Sequence, residues 1–267
     1  MKKLAIFLIS ISFLACQNET KTVSTTETTK RKDQADLSFK YDSVKVYSKH
    51  MMTSENGTDT SKAVIVYPVF ADQQINHFIE QKVMSFADEG EHYKSYQDFS
   101  KSFIENFDKF SNENKGYGQT WFMEAKIEVV SQLPEYLSTL VTHVSYEGGA
   151  HPNSVFTYLN YDPSTHKEIT LQSLILPGAM EKLNAVAEKI FRKNEKLSPD
   201  ESLKDTYFFE NDKFSINQNF TITSKGLKFL YNPYEIKAYA FGTTELIVPF
   251  AELKEIAKPN SLLNPAN

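Results

Sequence analysis

Three residues near the middle of the chain carry side chains that acid–base or metal chemistry requires. His143, Glu147 and His151 follow one another at intervals of four residues. On a strand His143 and Glu147 share a face, and a turn at Gly148-Gly149 could fold His151 back towards them. That arrangement would suit a metal site or a general acid–base pair. We favour the alternative, in which the glycines form a tight turn that His151 holds through local hydrogen bonds.

A second group of residues surrounds the segment 232–235, whose sequence NPYE is typical of a turn because Asn and Pro suit its first two positions. In a structural interpretation Tyr234 packs on a sheet, and Glu235 either caps backbone N–H groups or forms an ion pair. In a binding interpretation the turn presents a rigid aromatic surface, since tyrosine offers a large contact area to proteins and sugar rings. The candidate ligand-binding residues are Tyr231, Asn232, Pro233, Tyr234, Glu235, Tyr239, Gly148, Gly149 and His151.

Charge and motif content exclude several functional classes. The net charge is −5, whereas nucleic-acid binding needs a concentrated basic surface, so we expect no nucleic-acid partner. The sequence has no G-x-S-x-G, H-E-x-x-H, Walker or G-x-G-x-x-G motif. We therefore predict no catalytic residues, no metal and no cofactor, and a protein that is not an enzyme.

The N-terminus is typical of a targeting segment. Lys2 and Lys3 precede an apolar stretch, residues 4–15, that is too short to cross a bilayer core of about 30 Å. The sequence FLAC at 13–16 overlaps its end, contains the only cysteine, Cys16, and resembles a bacterial lipobox. This predicts a signal peptide at residues 1–15 and a lipid anchor on Cys16, carrying acyl chains such as palmitate. The alternatives are an ordinary secretory signal or an uncleaved anchor.

The elements that must position these residues follow the anchor. Residues 16–36 contain six threonines and almost no apolar side chains, which predicts a disordered tether. Strands, two amphipathic helices, further strands, a helix and a last group of strands come next. This order lacks βαβ alternation and predicts an α+β fold with mainly antiparallel sheets and a few amphipathic helices. We predict strands at 39–49, 62–70, 120–130, 136–146, 155–161, 214–222, 227–231 and 244–250, and helices at 75–87, 96–110, 180–194 and 251–257.

Two parts of the sequence resemble the RsiV-like family of extracytoplasmic domains. The first is YEGGAH at 146–151, followed by NYD at 160–162 and ITL at 169–171. The second is GLKFLYNPYEI at 226–236, followed by AYAFG at 238–242. This sequence differs from the family at Pro152, where glycine is common, and at Lys237-Ala238, where Ala-Pro is common.

The resemblance implies two subdomains outside the cytoplasmic membrane. The first is an N-terminal α+β subdomain at 37–167, like that of the peptidoglycan deacetylase PdaC. The second is a C-terminal RsiV-like subdomain at 168–257, with a tail at 258–267. The RsiV anti-sigma factor binds lysozyme through this region, and another member carries it beside a deacetylase domain. Neither the sigma-binding segment nor the deacetylase domain is expected here.

The resemblance therefore implies a non-enzymatic, lipid-anchored envelope lipoprotein, periplasmic or surface-exposed. Its expected partners are the membrane, through Cys16, and a macromolecule, either a lysozyme-like protein or peptidoglycan. Two alternatives stay open. One is an envelope glycan hydrolase that uses His143, Glu147 or His151, and the other is a structural or assembly lipoprotein.

Overall fold

A computed structural model describes residues 36–54, 57–86 and 92–264. The predicted signal peptide, Cys16 and nearly all of the predicted tether lie outside the described residues. The described residues belong to one compact unit and contain five helices and two sheets in which almost every strand pair is antiparallel. The predicted α+β fold is confirmed.

The larger sheet has six strands in the order of the sequence, β1 to β6. All its neighbours are antiparallel except β2 and β3, which pair in parallel over residues 62–66 and 122–126. A parallel pair needs a crossover connection, and two helices, α1 and α2, lie in it. The elements are β1 Phe39–Ser54, β2 Gly57–Phe70, α1 Gln73–Met84, α2 Tyr96–Glu113, β3 Phe122–Leu133, β4 Tyr136–Tyr146, β5 Asn153–Asp162 and β6 Lys167–Glu168.

The two helices cover one face of this sheet. Each begins at a residue whose side chain accepts a hydrogen bond from the first turn, Asp72 for α1 and Ser95 for α2, which satisfies an otherwise unpaired N–H group. The buried stripes on the helices form one hydrophobic cluster with alternate residues of β3. Met123 and Ile127 are buried, whereas Glu124 is exposed, as the alternating sequence predicts.

The C-terminal half builds a second, smaller sheet with β8 in the middle. One face of α4 packs on it through Leu183, Ala187 and Phe191. These side chains belong to a hydrophobic cluster distinct from the one under α1 and α2. The elements are α3 Leu171–Leu174, α4 Met180–Glu195, β7 Phe220–Thr223, β8 Gly226–Tyr231, β9 Thr244–Pro249 and α5 Phe250–Leu253.

Two predicted elements of this half are wrong in extent. The strand predicted at 214–222 forms only as β7, and the preceding residues are held by side-chain hydrogen bonds of Asn184 and Asn217. The helix predicted at 251–257 stops after one turn. Its backbone turns to pair with the segment after α3, where Ile175 and Ala257 form a β-bridge. Tertiary pairing has overridden the local helical pattern in this segment.

The two halves meet on β4 and β5. Leu137 and Val141 of β4 belong to the hydrophobic cluster under the helices, whereas Tyr136 belongs to the C-terminal cluster. The Tyr136 hydroxyl donates to Asn160 Oδ1 (2.7 Å) and accepts from the backbone N–H of Ile222 (2.8 Å). Successive residues of a strand point to opposite faces, so β4 contributes to both cores.

Candidate functional site

Three aromatic side chains from distant parts of the sequence form one cluster on the surface. We call His151, Tyr234 and Tyr239 the aromatic cluster. The imidazole of His151 stacks on the Tyr239 ring with centroids 3.8 Å apart and an interplanar angle of 16°. Its Nε2 atom lies 3.3 Å from the Tyr234 hydroxyl, and the two tyrosine rings are 5.4 Å apart. The structure thus joins the glycine-turn histidine to the tyrosines near the NPYE turn.

The polar atoms of the aromatic cluster are ordered by one carbonyl group. The Tyr239 hydroxyl donates to the Pro152 carbonyl oxygen (3.2 Å), and His151 Nδ1 lies 2.9 Å from the same oxygen. A carbonyl oxygen only accepts, so Nδ1 donates to it, and in the neutral imidazole Nε2 then accepts from the Tyr234 hydroxyl. Every ring nitrogen and hydroxyl in the cluster has a defined partner, which fixes the ring orientations.

The NPYE turn holds its shape through the Glu235 carboxylate. One carboxylate oxygen accepts from the backbone N–H of Asn232 and the other from the side-chain amide of Asn217, both at 2.7 Å. Tyr234 sits in the left-handed region with φ 67°, a conformation that is unfavourable for residues other than glycine. The side chain of Tyr234 is still 56% exposed, so the turn holds a large ring in solvent in a strained backbone conformation.

Two asparagines of the C-terminal half, Asn232 in this turn and Asn219 before β7, attach it to the larger sheet. The Asn232 amide accepts from the backbone N–H of Phe156 (2.7 Å) and donates to its carbonyl (3.1 Å). The Asn219 amide accepts from the backbone N–H of Tyr158 (2.8 Å) and donates to the same Phe156 carbonyl (2.8 Å). The side-chain amides therefore pair with the backbone of β5 as another strand would. Asn232 positions the turn, and its polar atoms are used in doing so.

Lys237 anchors the other side of the turn to α4. Its ammonium group lies 2.8 Å from Glu195 Oε1 and 5.6 Å from the centroid of the Tyr207 ring, and its side chain is only 14% exposed. The Tyr207 hydroxyl donates to the other Glu195 oxygen (2.9 Å). Burial, reinforced by Glu195, raises the pKa of Tyr207, so the phenol stays protonated as a donor.

The predicted surface needs one correction. Tyr231 is 1% exposed and donates its hydroxyl to the Ser215 carbonyl (3.0 Å), so it belongs to the core and not to the aromatic surface. It lies on the central strand β8, on the same face as Leu227 and Phe229 of the C-terminal cluster, because the side chains of a strand alternate. Pro233 is half-buried in the turn. Phe241, which is 68% exposed on the same 3-10 turn as Tyr239, was not among the predicted residues of this surface.

The glycine turn itself has the predicted conformation. Gly148 and Gly149 have φ values of 102° and 106°, which side-chain-bearing residues rarely adopt. A Cβ atom on Gly148 would lie 2.9 Å from the Tyr117 hydroxyl oxygen, so the Tyr117 side chain would have to shift to accommodate it. The turn directs His151 away from β4 and towards the C-terminal half.

His143 and Glu147 lie apart from His151. They line a pocket on the helix-covered face of the sheet, of which His151 is not part, whereas the His151 ring contacts the tyrosines of the C-terminal half. Burial lowers the pKa of His143. Within residues 36–54, 57–86 and 92–264 there is no group of three or more His, Cys, Asp or Glu side chains that could hold a metal ion. The three residues do not form one site.

None of the helices in the described part of the chain is long and apolar enough to span a membrane.

Comparisons with known proteins identify the domains. Residues 54–154 match the family model described as deacetylase PdaC, and residues 172–251 match that of a protein family of unknown function, DUF3298. These matches confirm the family resemblance predicted from the sequence. No curated protein matches the chain.

Two solved structures show the same fold. A DUF3298 family member from Bacteroides fragilis NCTC 9343 is 18% identical with a TM-score of 0.64, over 86% of this chain and 98% of that one. A DUF3298 family protein from Pseudomonas aeruginosa PAO1 is 21% identical with a TM-score of 0.65, over 87% of this chain and 99% of that one.

Proposed function

We propose that this chain, which carries a PdaC-type domain followed by a DUF3298 domain, is a lipid-anchored envelope protein that binds a macromolecule without catalysing a reaction. The aromatic cluster and the exposed Phe241 beside it form the binding surface. The ligand is peptidoglycan or a lysozyme-like protein, both of which an aromatic surface can contact through ring faces and hydroxyl groups. The observation that carries the proposal is the exposed Tyr234, held in a strained conformation beside the stacked His151 and Tyr239.

The rigidity of the aromatic cluster supports a binding role. The rings are fixed by hydrogen bonds to Pro152 and to one another, so little side-chain entropy remains to be lost on binding. Backbone strain of the kind found at Tyr234 persists only where the surroundings enforce it, and it is concentrated at functional sites. A turn with no functional demand could place glycine or asparagine at this position at lower cost.

The anchor completes the proposal. Lipidation of Cys16 would hold the protein on the outer side of a bacterial membrane. If residues 16–36 form the predicted tether of about 20 residues, they would place the folded part about 25 Å from the membrane on average. Incorporation of labelled palmitate tests this step, because a Cys16→Ser variant should take up no label and should leave the membrane fraction.

The hydrolase hypothesis receives less support. It needs His143, Glu147 and His151 in one cleft, and His151 lies instead against the tyrosines of the C-terminal half. A general acid and base must both reach the reacting group. The separation of these residues therefore favours binding over catalysis as the role of the 147–152 turn.

The binding surface is tested by removing the Tyr234 ring without changing the backbone. Residues 33–267 would be incubated with purified peptidoglycan sacculi and, separately, with immobilised lysozyme. Tyr234→Gly relieves the left-handed strain at this position, which offsets part of the cost of the lost ring contacts, and it should weaken binding at least tenfold, or by about 1.4 kcal/mol. The matched control is Tyr47→Ala, an equally exposed tyrosine on β1.

The outcomes separate the two ligands. Retention on one target, lost in Tyr234→Gly and kept in Tyr47→Ala, supports the proposal and names the ligand. Binding that Tyr234→Gly leaves unchanged would reject the aromatic cluster as the surface. Absence of binding to both targets would reject the proposed ligands.

A further inference from the structure

Several strands of the larger sheet begin or end at the point where the N-terminal segment enters the fold. β1 begins there and β2 ends there, because Phe39 pairs with Phe70. β3 runs parallel to β2, so the turn from β3 to β4 lies at the same end of the sheet. Gln132 Nε2 donates to the Leu37 carbonyl oxygen (2.7 Å), which places this turn directly beside the start of β1. We call this part of the molecule the entry end, formed by residues 37–41, 69–71 and 130–135.

The entry end exposes a group of apolar side chains. Of the ten large apolar residues that are exposed in the described part of the chain, four lie here: Tyr41, Val69, Val130 and Leu133. Tyr41 and Val69 line one groove together with Phe39, while Val130 and Leu133 belong to the last turns of the adjacent strand β3. Single exposed apolar residues need no explanation, whereas a group of them marks a contact surface for a protein or a membrane.

The proposed lipid anchor limits how far the entry end can move from the bilayer. Cys16 is 20 residues before Asp36, the first described residue. A flexible segment of that length spans about 25 Å on average, so a lipid on Cys16 would hold the entry end closer to the membrane than any other part of the fold. Short flexible linkers give effective concentrations in the millimolar range, and a contact of low intrinsic affinity then forms.

Charge also favours the entry end over the rest of the molecule. The whole chain has 29 basic and 34 acidic residues, and an acidic surface is repelled by anionic lipids. Residues 30–42 instead contain four basic and three acidic residues, and the β3–β4 turn adds Glu135, so this end is close to neutral. Three of the basic residues are consecutive, Lys-Arg-Lys at 30–32, and such a run attracts anionic headgroups.

We propose that the entry end contacts the surface of the lipid bilayer that carries the anchor, with Tyr41 and Leu133 among the side chains in the headgroup region. Tyrosine suits this region because its ring is apolar and its hydroxyl group is polar. The contact would also orient the molecule. β4 has 11 residues and runs from the entry end to the glycine turn over about 35 Å, so the aromatic cluster would face away from the membrane. The inference rests on the proposed function in one respect, the anchor on Cys16.

Fluorescence quenching by brominated lipid tests the contact in the tethered protein. Residues 16–267 would be coupled through Cys16 to a maleimide lipid in vesicles of phosphatidylcholine and phosphatidylglycerol, with and without brominated acyl chains. Leu133→Trp places a tryptophan at the entry end, and Met51→Trp places one near the opposite end of β1, where Met51 is also exposed. Interfacial side chains lie about 5–10 Å into the boundary between headgroups and acyl chains, so we expect the fluorescence of Leu133→Trp to fall about twofold. Met51→Trp should be quenched no more than the unaltered protein, whose only tryptophan, Trp121, is buried.

A second substitution tests whether the exposed apolar group makes the contact. Tyr41→Ser, added to Leu133→Trp, removes a large apolar side chain from the entry end and should reduce the quenching about twofold or more. The matched control is Tyr47→Ser in the same background, because Tyr47 lies further along β1 and is 53% exposed, against 51% for Tyr41. It should leave the quenching unchanged. Far-UV circular dichroism reports that each variant is folded.

The outcomes decide the proposal. Quenching of Leu133→Trp that Tyr41→Ser reduces and Tyr47→Ser leaves unchanged, with Met51→Trp unquenched, supports it. Equal quenching of Leu133→Trp and Met51→Trp would overturn the orientation. An unquenched Leu133→Trp in a folded, tethered protein would overturn the contact and leave the entry end open to a protein partner. Chemical coupling replaces natural lipidation, so failure of the palmitate or peptidoglycan experiments described above is a separate result.

Discussion

The two faces of β4 are packed by different interactions. On the helix-covered face Leu137 and Val141 pack among apolar side chains. On the other face Tyr136 and Ser138 meet the C-terminal half through buried hydroxyl groups, and both lie within 3.0 Å of Thr221 Oγ1. Apolar contacts are non-directional, whereas each buried hydrogen bond needs a partner at a defined position. The helix-covered face therefore stabilises the fold without defining one geometry. The hydrogen-bonded face fixes the position of the C-terminal sheet relative to β4 and β5.

The same contrast separates the pocket lined by His143 and Glu147 from the aromatic cluster. The pocket behind α2 is walled by side chains of an apolar core, and its shape follows from their packing. The aromatic cluster is held by polar contacts, from the Glu235 carboxylate inside the NPYE turn to the Asn232 amide on β5. A change in core packing should therefore affect the pocket first, and a lost hydrogen bond should affect the aromatic cluster first.

The substitution with the largest expected effect on the free energy of unfolding tests whether the two halves unfold together. Phe229→Ala removes a fully buried ring from the C-terminal cluster and should cost about 3–5 kcal/mol. Trp121 lies in the other half, so its fluorescence reports the N-terminal core, while far-UV circular dichroism reports the whole chain. The buried hydrogen bonds of Tyr136 and Ser138 with Thr221 join the two halves. We therefore expect the denaturation midpoints from both signals to shift together.

Ile127→Ala, in the first cluster, is the matched variant and should shift both signals in the same way. If Phe229→Ala leaves the Trp121 transition in place while circular dichroism shows an earlier one, the halves unfold separately and the network does not couple them.

A substitution with a smaller expected effect on the free energy of unfolding measures the buried hydrogen bonds of Tyr136. Tyr136→Phe removes a hydroxyl that donates to Asn160 and accepts from the Ile222 N–H group, leaving buried groups unpaired at a cost of about 1–3 kcal/mol. Tyr231→Phe removes an equally buried hydroxyl with one bond, to the Ser215 carbonyl. We expect the free energy of unfolding to fall more for Tyr136→Phe than for Tyr231→Phe in urea titrations. Equal losses would show that Tyr136 contributes as one ordinary hydrogen bond.

The smallest expected effect is on how the free energy of unfolding changes with pH. Burial lowers the pKa of His143 below its usual value of 6.5, so below pH 6.5 the unfolded chain binds a proton more readily than the folded one. The neutral, buried imidazole of His143 therefore makes its full contribution to the free energy of unfolding above pH 6.5. That contribution is lost as the pH falls towards the folded-state pKa. His143→Leu should flatten the decrease in stability between pH 7 and pH 5. The exposed His77, changed to Gln, is the control, and an unchanged slope in His143→Leu would contradict this origin.

Local sequence patterns predicted the elements with regular periodicity. The alternation of β3, the apolar stripes of α1 and α2 and the positive φ of Gly148-Gly149 all appear in the structure. The strand at 214–222 and the helix at 251–257 were predicted too long. In both segments side-chain or backbone partners from elsewhere replace the local hydrogen bonds, and no local pattern shows such partners.

The candidate site residues also divide into those that the sequence predicted and those that only the structure revealed or placed. The sequence identified His151, Tyr234 and Tyr239 as candidate binding residues, but it also left open a site that joined His151 to His143 and Glu147. Proximity in sequence suggested that grouping, and the left-handed glycine turn sends His151 the other way. Asn219, whose amide pairs with β5, was missed because a strand-mimicking asparagine looks like any loop asparagine.

The sequence by itself determined the α+β class, the family of domains and the residue types that could bind a ligand. These follow from short-range periodicity and from motifs that are contiguous along the chain. Only the tertiary structure decided which residues meet, such as the parallel pairing of β2 with β3 and the contact between His151 and Tyr234, which are 83 residues apart. The physical reason is that such contacts depend on how separate elements pack and hydrogen-bond, and their free energies are shared across the fold.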